Sequence, residues 1–289
     1  MLKQFLAQYL LNKNLLSSEQ VLEILEDDEF QRVSPGVVAL HMGLMTAKQI
    51  EKVQKIQIDH DKLFGEAAMD AGLLTEDQVG AVLAAREDNN LSVAQAILSL
   101  GFMTLEELEN TLAEYRKQNQ FSLADSFKKM EFGNICCTDF EEIRELYIEY
   151  VELFLQALEQ FAELDGVIIP ATALGGKGKW LISQKMNGDV ALGTGVLLAE
   201  PVVLHLAKRY SKEEDINTVD QLALDSVSEF LNVVNGLFIV ALSNKNIDVD
   251  LEPQKFGEGV IPVGSKQAVI HIDTKIGLIQ LILAVDGIQ

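Results

Sequence analysis

A turn that recurs every 29 residues constrains the first part of this 289-residue chain more than any other feature. The turn begins at Asn14, Gly43, Gly72 and Gly101, and a cap follows three residues later at Ser17, Thr46, Thr75 and Thr104. Gly or Asn suits the left-handed residue that ends one helix, and Ser or Thr caps the next helix. Gln or Glu three residues further on completes a capping box, at Gln20, Gln49, Gln78 and Glu107. A fixed period indicates stacked units, so residues 1–115 are predicted to be an all-helical array of hairpins.

Small and apolar residues keep the same register around each turn. A small residue lies seven positions before the turn, at Ala7, Gly36, Gly65 and Ala94. An apolar residue lies seven positions after it, at Val21, Ile50, Val79 and Leu108. Small residues at one register indicate close approach of two helices, and the apolar residues are predicted to seal each hairpin.

Two of these repeats resemble a known domain. The pattern Gly-x6-Gly-x-apolar-x4-apolar, from Gly36 and from Gly65, is similar to the N-terminal domain of type II secretion ATPases of the MshE kind. That domain is linked with cyclic di-GMP binding through an Arg-Leu-Gly start, so the resemblance implies a cyclic dinucleotide sensor as one hypothesis. Here no arginine precedes either glycine in the tripeptide, and phosphates need cationic partners. Cyclic di-GMP is therefore not the expected ligand, and an interaction or spacer module is the favoured interpretation.

The charge balance bounds the kind of partner. The chain has 23 basic and 44 acidic residues and a formal net charge of −21. Nucleic acid and anionic membrane surfaces attract clustered Lys and Arg, which an acidic surface does not offer. A protein partner is predicted, with a plain solvated surface as the alternative.

Cofactor and metal sites are not indicated by the sequence. Cys136 and Cys137 are adjacent, and the histidines lack metal-binding spacing, at His41, His60, His205 and His271. Residues 175–179, Gly-Gly-Lys-Gly-Lys, lack the spacing of a phosphate loop and are interpreted as a flexible loop. The start has no signal-peptide layout, and no uninterrupted apolar run reaches the roughly 18 residues of a membrane span. The expectation is a cytoplasmic protein without membrane insertion, bound metal or cofactor.

The second part of the chain has a different pattern of residues. Residues 116–137 break the repeat and are predicted to be a linker. Thr138 and Glu141 then form a capping box that opens a long amphipathic helix through about Glu163, and Tyr150 lies on its apolar stripe. Strand-like runs follow at 167–169, 180–186, 190–197, 247–251, 268–273 and 278–285, with a helix at 201–210 and a loop at 252–259. This order predicts an α+β domain over residues 138–289.

One helix of this domain, predicted over residues 218–244, separates polar from apolar side chains. Thr218 and Gln221 have the spacing of a capping box at its start. At about 100° per residue, one narrow arc holds Gln221, Asp225, Ser228, Glu229 and Asn232. The opposite arc holds Ala223, Val227, Phe230, Leu231 and Val234. One face is therefore predicted to be core and the other to be accessible.

The accessible face resembles a known signature. Asp225-x-x-x-Glu229-x-x-Asn232, followed by Gly236, is similar to the signature helix of the CheX and CheC chemotaxis phosphatases, which dephosphorylate the response regulator CheY. The resemblance implies that Glu229 docks onto a lysine of the receiver domain and that the Asn232 amide orients the attacking water. Asp225 and Ser228 are assigned to partner docking. Mg²⁺ is expected on the receiver domain of the partner.

The order of elements over residues 138–289 is also similar to CheX. It implies an α/β sandwich of helices on an antiparallel sheet, often dimerised through that sheet. The favoured hypothesis is a CheX-like phosphatase acting on the aspartyl phosphate of a CheY-type response regulator in chemotaxis or two-component signalling. The alternative is a non-catalytic regulatory or scaffold protein that dimerises through this domain and binds partners with its helical repeats.

Overall fold

The computed structural model of the chain describes residues 2–26, 33–85, 89–117, 141–169, 178–259, 262, 264–285 and 287–288. The chain divides into two compact units, Met1–Ser122 and Leu123–Gln289. The boundary falls within the predicted linker 116–137, whereas the first domain was predicted to end at residue 115. Most of that linker, with Cys136 and Cys137, lies outside the described residues, as do Thr138 of the predicted capping box and residues 175–177 of the predicted loop.

Helices are the regular elements of the first unit, over the ranges that are described. They are α1 Leu2–Asn12, α2 Ser18–Glu26, α3 Pro35–His41, α4 Ala47–His60, α5 Phe64–Asp70, α6 Glu76–Ala84, α7 Asn89–Ser99 and α8 Leu105–Lys117.

All four recurrent turns contain the left-handed residue that their sequence predicts. The φ angle is 54° at Asn14, 71° at Gly43, 65° at Gly72 and 72° at Gly101. The backbone amide of the next residue donates to the carbonyl five positions back, over 2.9 to 3.0 Å. This bond pattern is a Schellman motif, which satisfies helix-end carbonyls and reverses the chain.

The four predicted capping boxes are also present. The backbone amides of the caps donate to the side chains of Gln20, Gln49, Gln78 and Glu107 over 2.8 to 3.0 Å. Each cap hydroxyl accepts the return bond from the backbone amide of the same Gln or Glu. These bonds fix where one helix ends and the next begins. That the hairpins form a repeat domain stays a prediction.

Two glycines lie where the helices of a hairpin touch. A Cβ on Gly36 would lie 2.9 Å from Cγ2 of Ile50, and a Cβ on Gly65 would lie 2.6 Å from Cγ1 of Val79. The small residue before each of these turns therefore contacts the apolar residue after it. Ala7 and Ala94, at the matching positions of the other repeats, are buried. Side-chain size at this register sets how closely the two helices pack.

Gly65→Ala is predicted to lower the free energy of unfolding by about 1–3 kcal/mol, because the new methyl overlaps Val79 in a packed contact. Gly80→Ala is the matched control, since a Cβ there meets nothing within 4 Å on helix α6. It should raise the free energy of unfolding by about 0.5–1 kcal/mol through helix propensity. Denaturant titration followed by circular dichroism measures both, and equal effects of the two changes would contradict the close-packing assignment.

The second unit is a seven-stranded sheet with helices. In chain order its elements are α9 Glu141–Ala162, β1 Gly166–Ile169, β2 Trp180–Gly188, β3 Leu192–Leu198, α10 Glu200–Ser211, α11 Gln221–Ser243, β4 Val249–Leu251, β5 Lys255–Glu258, β6 Ser265–Thr274 and β7 Ile279–Val285. The strand order is β1-β6-β7-β3-β2-β4, and β5 pairs with β2 beside β4. Every strand pair within the described ranges is antiparallel, as predicted.

Helix α11 lies against the β2 end of this sheet. It contacts α9, α10, β2, β4 and β5. Its apolar face is fully buried at Phe230, Leu231, Val234 and Phe238. Strands β2 and β3 turn Gln184 and Thr194, which are opposite each other in register, toward this helix. The sheet therefore packs against the C-terminal half of α11.

Two details of the prediction are wrong. The start of α11 is capped by Asp220, whose carboxylate accepts a bond from the Ala223 amide over 3.0 Å, and not by a Thr218–Gln221 box. The side chain of Gln221 donates to Asp225 instead, over 2.8 Å. The predicted loop 252–259 contains strand β5, because one extra residue between Glu252 and Lys255 shifts the register and the chain then pairs with β2 again. Helix α11 still occupies its predicted position in the order of elements.

The length and composition of α11 would also allow it to cross a membrane, although no uninterrupted apolar run of the sequence reaches the length of a membrane span. In this structure half of its most apolar stretch is buried against the rest of the unit. It is the one helix among the described residues with that length and composition.

Candidate functional site

The accessible stripe of α11 contains acidic residues flanked by apolar ones. Asp225 and Glu229 are exposed, and Asn232 is half-buried. Leu222 lies one turn before them, and Val240, which is 59% exposed, lies about two turns after Asn232. The helix has 23 residues and is anchored along its opposite face, so these side chains are presented on a rigid support.

Ser228 does not belong to this stripe. It is only 6% exposed, and its hydroxyl donates to the carbonyl of Leu224 over 2.7 Å. A serine that bonds to the carbonyl one turn back needs no solvent, so its polarity does not mark an accessible face. The prediction that Ser228 lies on the accessible face is therefore wrong, and its burial does not favour a docking role, whereas Asp225 is exposed.

Glu229 and Asn232 come together at the surface. Nδ2 of Asn232 donates to Oε2 of Glu229 over 3.4 Å. Over the described residues, the Glu229 carboxylate takes part in no ion pair. Burial raises the pKa of the nearby Tyr210 hydroxyl, and the negative charge of Glu229 raises this pKa further. The site thus presents an anion without a cationic partner beside a neutral amide.

Gln184, on strand β2, holds the side chain of Asn232 through a hydrogen bond from the interior of the unit. Nε2 of Gln184 donates to Oδ1 of Asn232 over 2.9 Å and to the backbone carbonyl of Glu252 over 2.9 Å. Oε1 of Gln184 accepts a bond from Nδ2 of Asn235 over 2.7 Å. One side chain therefore joins strand β2 to helix α11 at two points and to the segment after β4.

Asn235 carries this network into the core. It is 0% exposed, and its Oδ1 accepts bonds from the Tyr150 hydroxyl over 2.6 Å and from Thr194 Oγ1 over 3.1 Å. Tyr150 lies on α9 and is fully buried, so it matches the predicted apolar stripe but contributes a polar group as well. Burial raises the pKa of the Tyr150 phenol, which keeps the hydroxyl protonated as a donor.

The sequence contained weak signals for two members of this network. Asn235 interrupts the run Val-Val-Asn-Gly-Leu-Phe-Ile-Val at the edge of the buried face of α11. Gln184 occupies an inward position of β2 between Ile182 and Met186, where an apolar residue is the norm. A polar residue at an apolar position predicts a buried hydrogen bond, but not which residue supplies the other half.

Among the described residues, no group of three or more His, Cys, Asp or Glu side chains could hold a metal ion. His205, on α10, lies with Nε2 3.0 Å from the carbonyl of Ala162. Burial lowers the pKa of His205 and that of His271 on β6. These two histidines are packing residues of the second unit and lie outside the α11 stripe.

Comparison with solved structures finds CheX and CheC-like chemotaxis proteins over about half of the chain. CheX from Desulfovibrio desulfuricans is 17% identical, with a TM-score of 0.42 over 49% of this chain and 99% of that one. CheX from Vibrio vulnificus is 17% identical, with a TM-score of 0.43 over 48% and 95%. The CheX of a Borrelia burgdorferi CheX–CheY–BeF3–Mg²⁺ complex is 18% identical, with a TM-score of 0.41 over 48% and 97%.

Sequence comparisons add no family to these structural similarities. No protein-family model matches the chain, and no curated protein matches it. The similarity of the first unit to MshE-type secretion ATPases therefore stays a prediction.

Tyr150→Phe is predicted to lower the free energy of unfolding by about 1 kcal/mol at neutral pH, because one of two donors to buried Asn235 is lost. Above about pH 10 the unfolded chain releases the Tyr150 proton while the folded chain retains it. The natural protein then loses up to about 1.4 kcal/mol of stability per pH unit through this group, and the variant does not. The deficit should shrink from pH 8 to 11 in denaturant titrations, whereas parallel stability curves would contradict the buried-donor assignment.

Proposed function

We propose that the second unit is a phosphatase for the aspartyl phosphate of a CheY-type receiver domain. The observation that carries the proposal is the pairing of an exposed Glu229, which has no ion pair among the described residues, with the anchored amide of Asn232 on one rigid helix. Both residue types stand at the positions to which the signature resemblance assigns docking and water orientation. The pathway is chemotaxis or another two-component system.

The proposed reaction requires few catalytic groups from this chain. An aspartyl phosphate is an activated acyl phosphate, so hydrolysis depends mainly on the position of the water and on charge stabilisation. The oxygen of water forms a bond to phosphorus while the bond from phosphorus to the receiver carboxylate breaks. A water proton passes to the phosphoryl group, and the products are inorganic phosphate and the free aspartate. No side chain of this chain has to change its protonation state.

Glu229 supplies the docking charge in this proposal. Its carboxylate has no ion pair among the described residues, so a lysine of the receiver meets an anion that is not already neutralised. Asp225, one turn earlier and exposed, extends the same acidic surface. The charge placement therefore favours a cationic contact beside the reacting group.

Apolar residues of the stripe complete the docking surface. Leu222 and Val240 are exposed at its two ends. Between them, a Cβ on Gly236 would meet nothing within 4 Å, so no contact within the described chain requires glycine there. Glycine inside a helix costs about 0.5–1 kcal/mol relative to alanine. A flat position beside Asn232 allows the backbone of a partner to approach the helix closely.

The metal of this reaction belongs to the partner in our proposal. Receiver domains bring their own Mg²⁺, which neutralises the phosphoryl oxygens. The contribution of this chain is confined to Asn232, Glu229 and the surface around them.

Asn232→Ala is predicted to reduce the rate of receiver dephosphorylation about 10²-fold or more, comparable to the loss of one preorganised donor. The measurement is the lifetime of a phosphorylated receiver domain from the same organism, with Mg²⁺ present. Asn232→Asp should fail equally, because it retains an acceptor for Gln184 and removes the outward N–H donors. Asn244→Ala, an exposed asparagine at the end of the same helix, is the control and should have the natural rate.

Full activity of Asn232→Ala would contradict the proposed role of the amide. Binding of a receiver domain by the natural protein without any shortening of the phosphate lifetime would support the alternative. In that case the protein is a regulatory or scaffold protein that dimerises through the second unit and holds partners with its helices.

Val240→Ser is predicted to raise KM for the phosphorylated receiver about tenfold with little change in kcat, because an apolar contact is lost that is present in both ground and transition states. Ile58→Ser, a β-branched residue 83% exposed on helix α4, is the matched control and should leave both parameters unchanged. Steady-state phosphate release measures both constants. A fall in kcat with unchanged KM would contradict a docking role for Val240.

A further inference from the structure

We infer that Gln184 is a positioning residue that fixes the Asn232 amide in one orientation, with Oδ1 inward and Nδ2 outward, so that Asn232 acts on the reaction as a hydrogen-bond donor. The part of this inference that concerns the reaction rests on the proposed phosphatase function. The orientation itself rests on hydrogen-bond geometry and can be tested without a partner.

The backbone carbonyl of Glu252 sets the orientation of the Gln184 amide. A carbonyl can only accept, so the Gln184 atom that lies 2.9 Å from it must be the Nε2 nitrogen. The second hydrogen of Nε2 points to Asn232 across 2.9 Å. The atom of Asn232 at that end must therefore be the oxygen, because two amide nitrogens would bring donors together.

The remaining atom of the Gln184 amide is held as well. Oε1 accepts from Nδ2 of Asn235, whose own oxygen accepts from the Tyr150 and Thr194 hydroxyls. Gln184 is 4% exposed, so water does not offer a replacement for a lost partner. Turning over any one amide would leave buried donors facing donors and buried acceptors facing acceptors, which is costly.

The consequence at the surface is a defined polarity. The Asn232 oxygen is occupied by Gln184, and the Nδ2 group lies outward, next to the Glu229 carboxylate. Asn232 therefore directs its N–H group, and not its oxygen, toward the attacking water or a phosphoryl oxygen. The proton released on attack goes to a phosphoryl oxygen of the partner.

Gln184→Glu tests this with nearly the same side-chain shape. The introduced carboxylate still accepts from Asn235, but when ionised it offers no hydrogen to Glu252 or to Asn232. The Asn232 amide is then expected to turn over and donate inward. Burial raises the pKa of a carboxyl group, so the change should develop with rising pH from somewhat above the usual carboxyl range.

The partner-free measurement is nuclear Overhauser contact of the Asn232 Nδ2 protons in the full chain. In the natural protein these protons should contact the Glu229 side chain and not the γ protons of residue 184. In Gln184→Glu at high pH the contacts should move to residue 184. Contacts to residue 184 in the natural protein, or contacts that Gln184→Glu does not change, would overturn the inference. Gln184→Met, which has no polar end, should give contacts on both sides.

The kinetic measurement is the pH profile of kcat on a phosphorylated receiver domain. Gln184→Glu should lose about 10²-fold in kcat at high pH and recover part of it at low pH, with KM unchanged. Gln280→Glu, the same change on strand β7, is the control and should lack this profile. A flat profile for Gln184→Glu would overturn the catalytic consequence. If the natural protein shows no phosphatase activity while the contacts behave as expected, the proposed function fails and the positioning role stands.

Discussion

The second unit depends on one buried amide that has all of its strong hydrogen-bonding capacity in use. Gln184 is on β2, and its two N–H groups and its oxygen reach Asn232, Glu252 and Asn235. A buried polar group without a partner costs free energy comparable to a lost hydrogen bond or more, so these bonds form together or not at all. The sheet, the helix and the segment after β4 are thereby held in a single arrangement. This arrangement also fixes the orientation of the Asn232 amide at the surface.

A buried hydrogen-bond network of this kind fixes the position of a surface side chain with only a few residues. Asn232 stands on a 23-residue helix whose opposite face is packed by Phe230, Leu231 and Val234. Packing fixes the backbone, and the polar bonds beneath fix the side chain. Catalysis of an already activated phosphate needs position more than chemical power. The structure of α11 provides position, which is why the proposed function places the reaction there.

Local physics made much of this architecture predictable from the sequence. Schellman turns and capping boxes depend on residues only a few positions apart, so Gly72, Thr75 and Gln78 sufficed to predict one hairpin. The exposure of Asp225 and Glu229 followed from helical periodicity. Those predictions did not require knowledge of the tertiary packing.

Predictions failed where the outcome depended on distant partners. Ser228 is polar and on the predicted arc, yet the folded unit leaves it only 6% exposed, which periodicity alone does not reveal. Asn235 and Gln184 are separated by 51 positions, and only the folded sheet brings them to 2.7 Å. Strand β5 was missed because its pairing with β2 follows a register shift between Glu252 and Lys255. The hydrogen-bond network beneath Asn232 was the part of the second unit least visible in the sequence.

The oxygen of the attacking water can be followed to its product, and its fate tests the proposed phosphatase reaction. A phosphorylated receiver domain is hydrolysed in water enriched in heavy oxygen, with Mg²⁺, in the presence and absence of the natural protein. We predict faster release of phosphate that carries one heavy oxygen, with none in the receiver aspartate. Release at the unassisted rate, or heavy oxygen in the aspartate, would contradict a phosphatase in which Asn232 directs water to phosphorus.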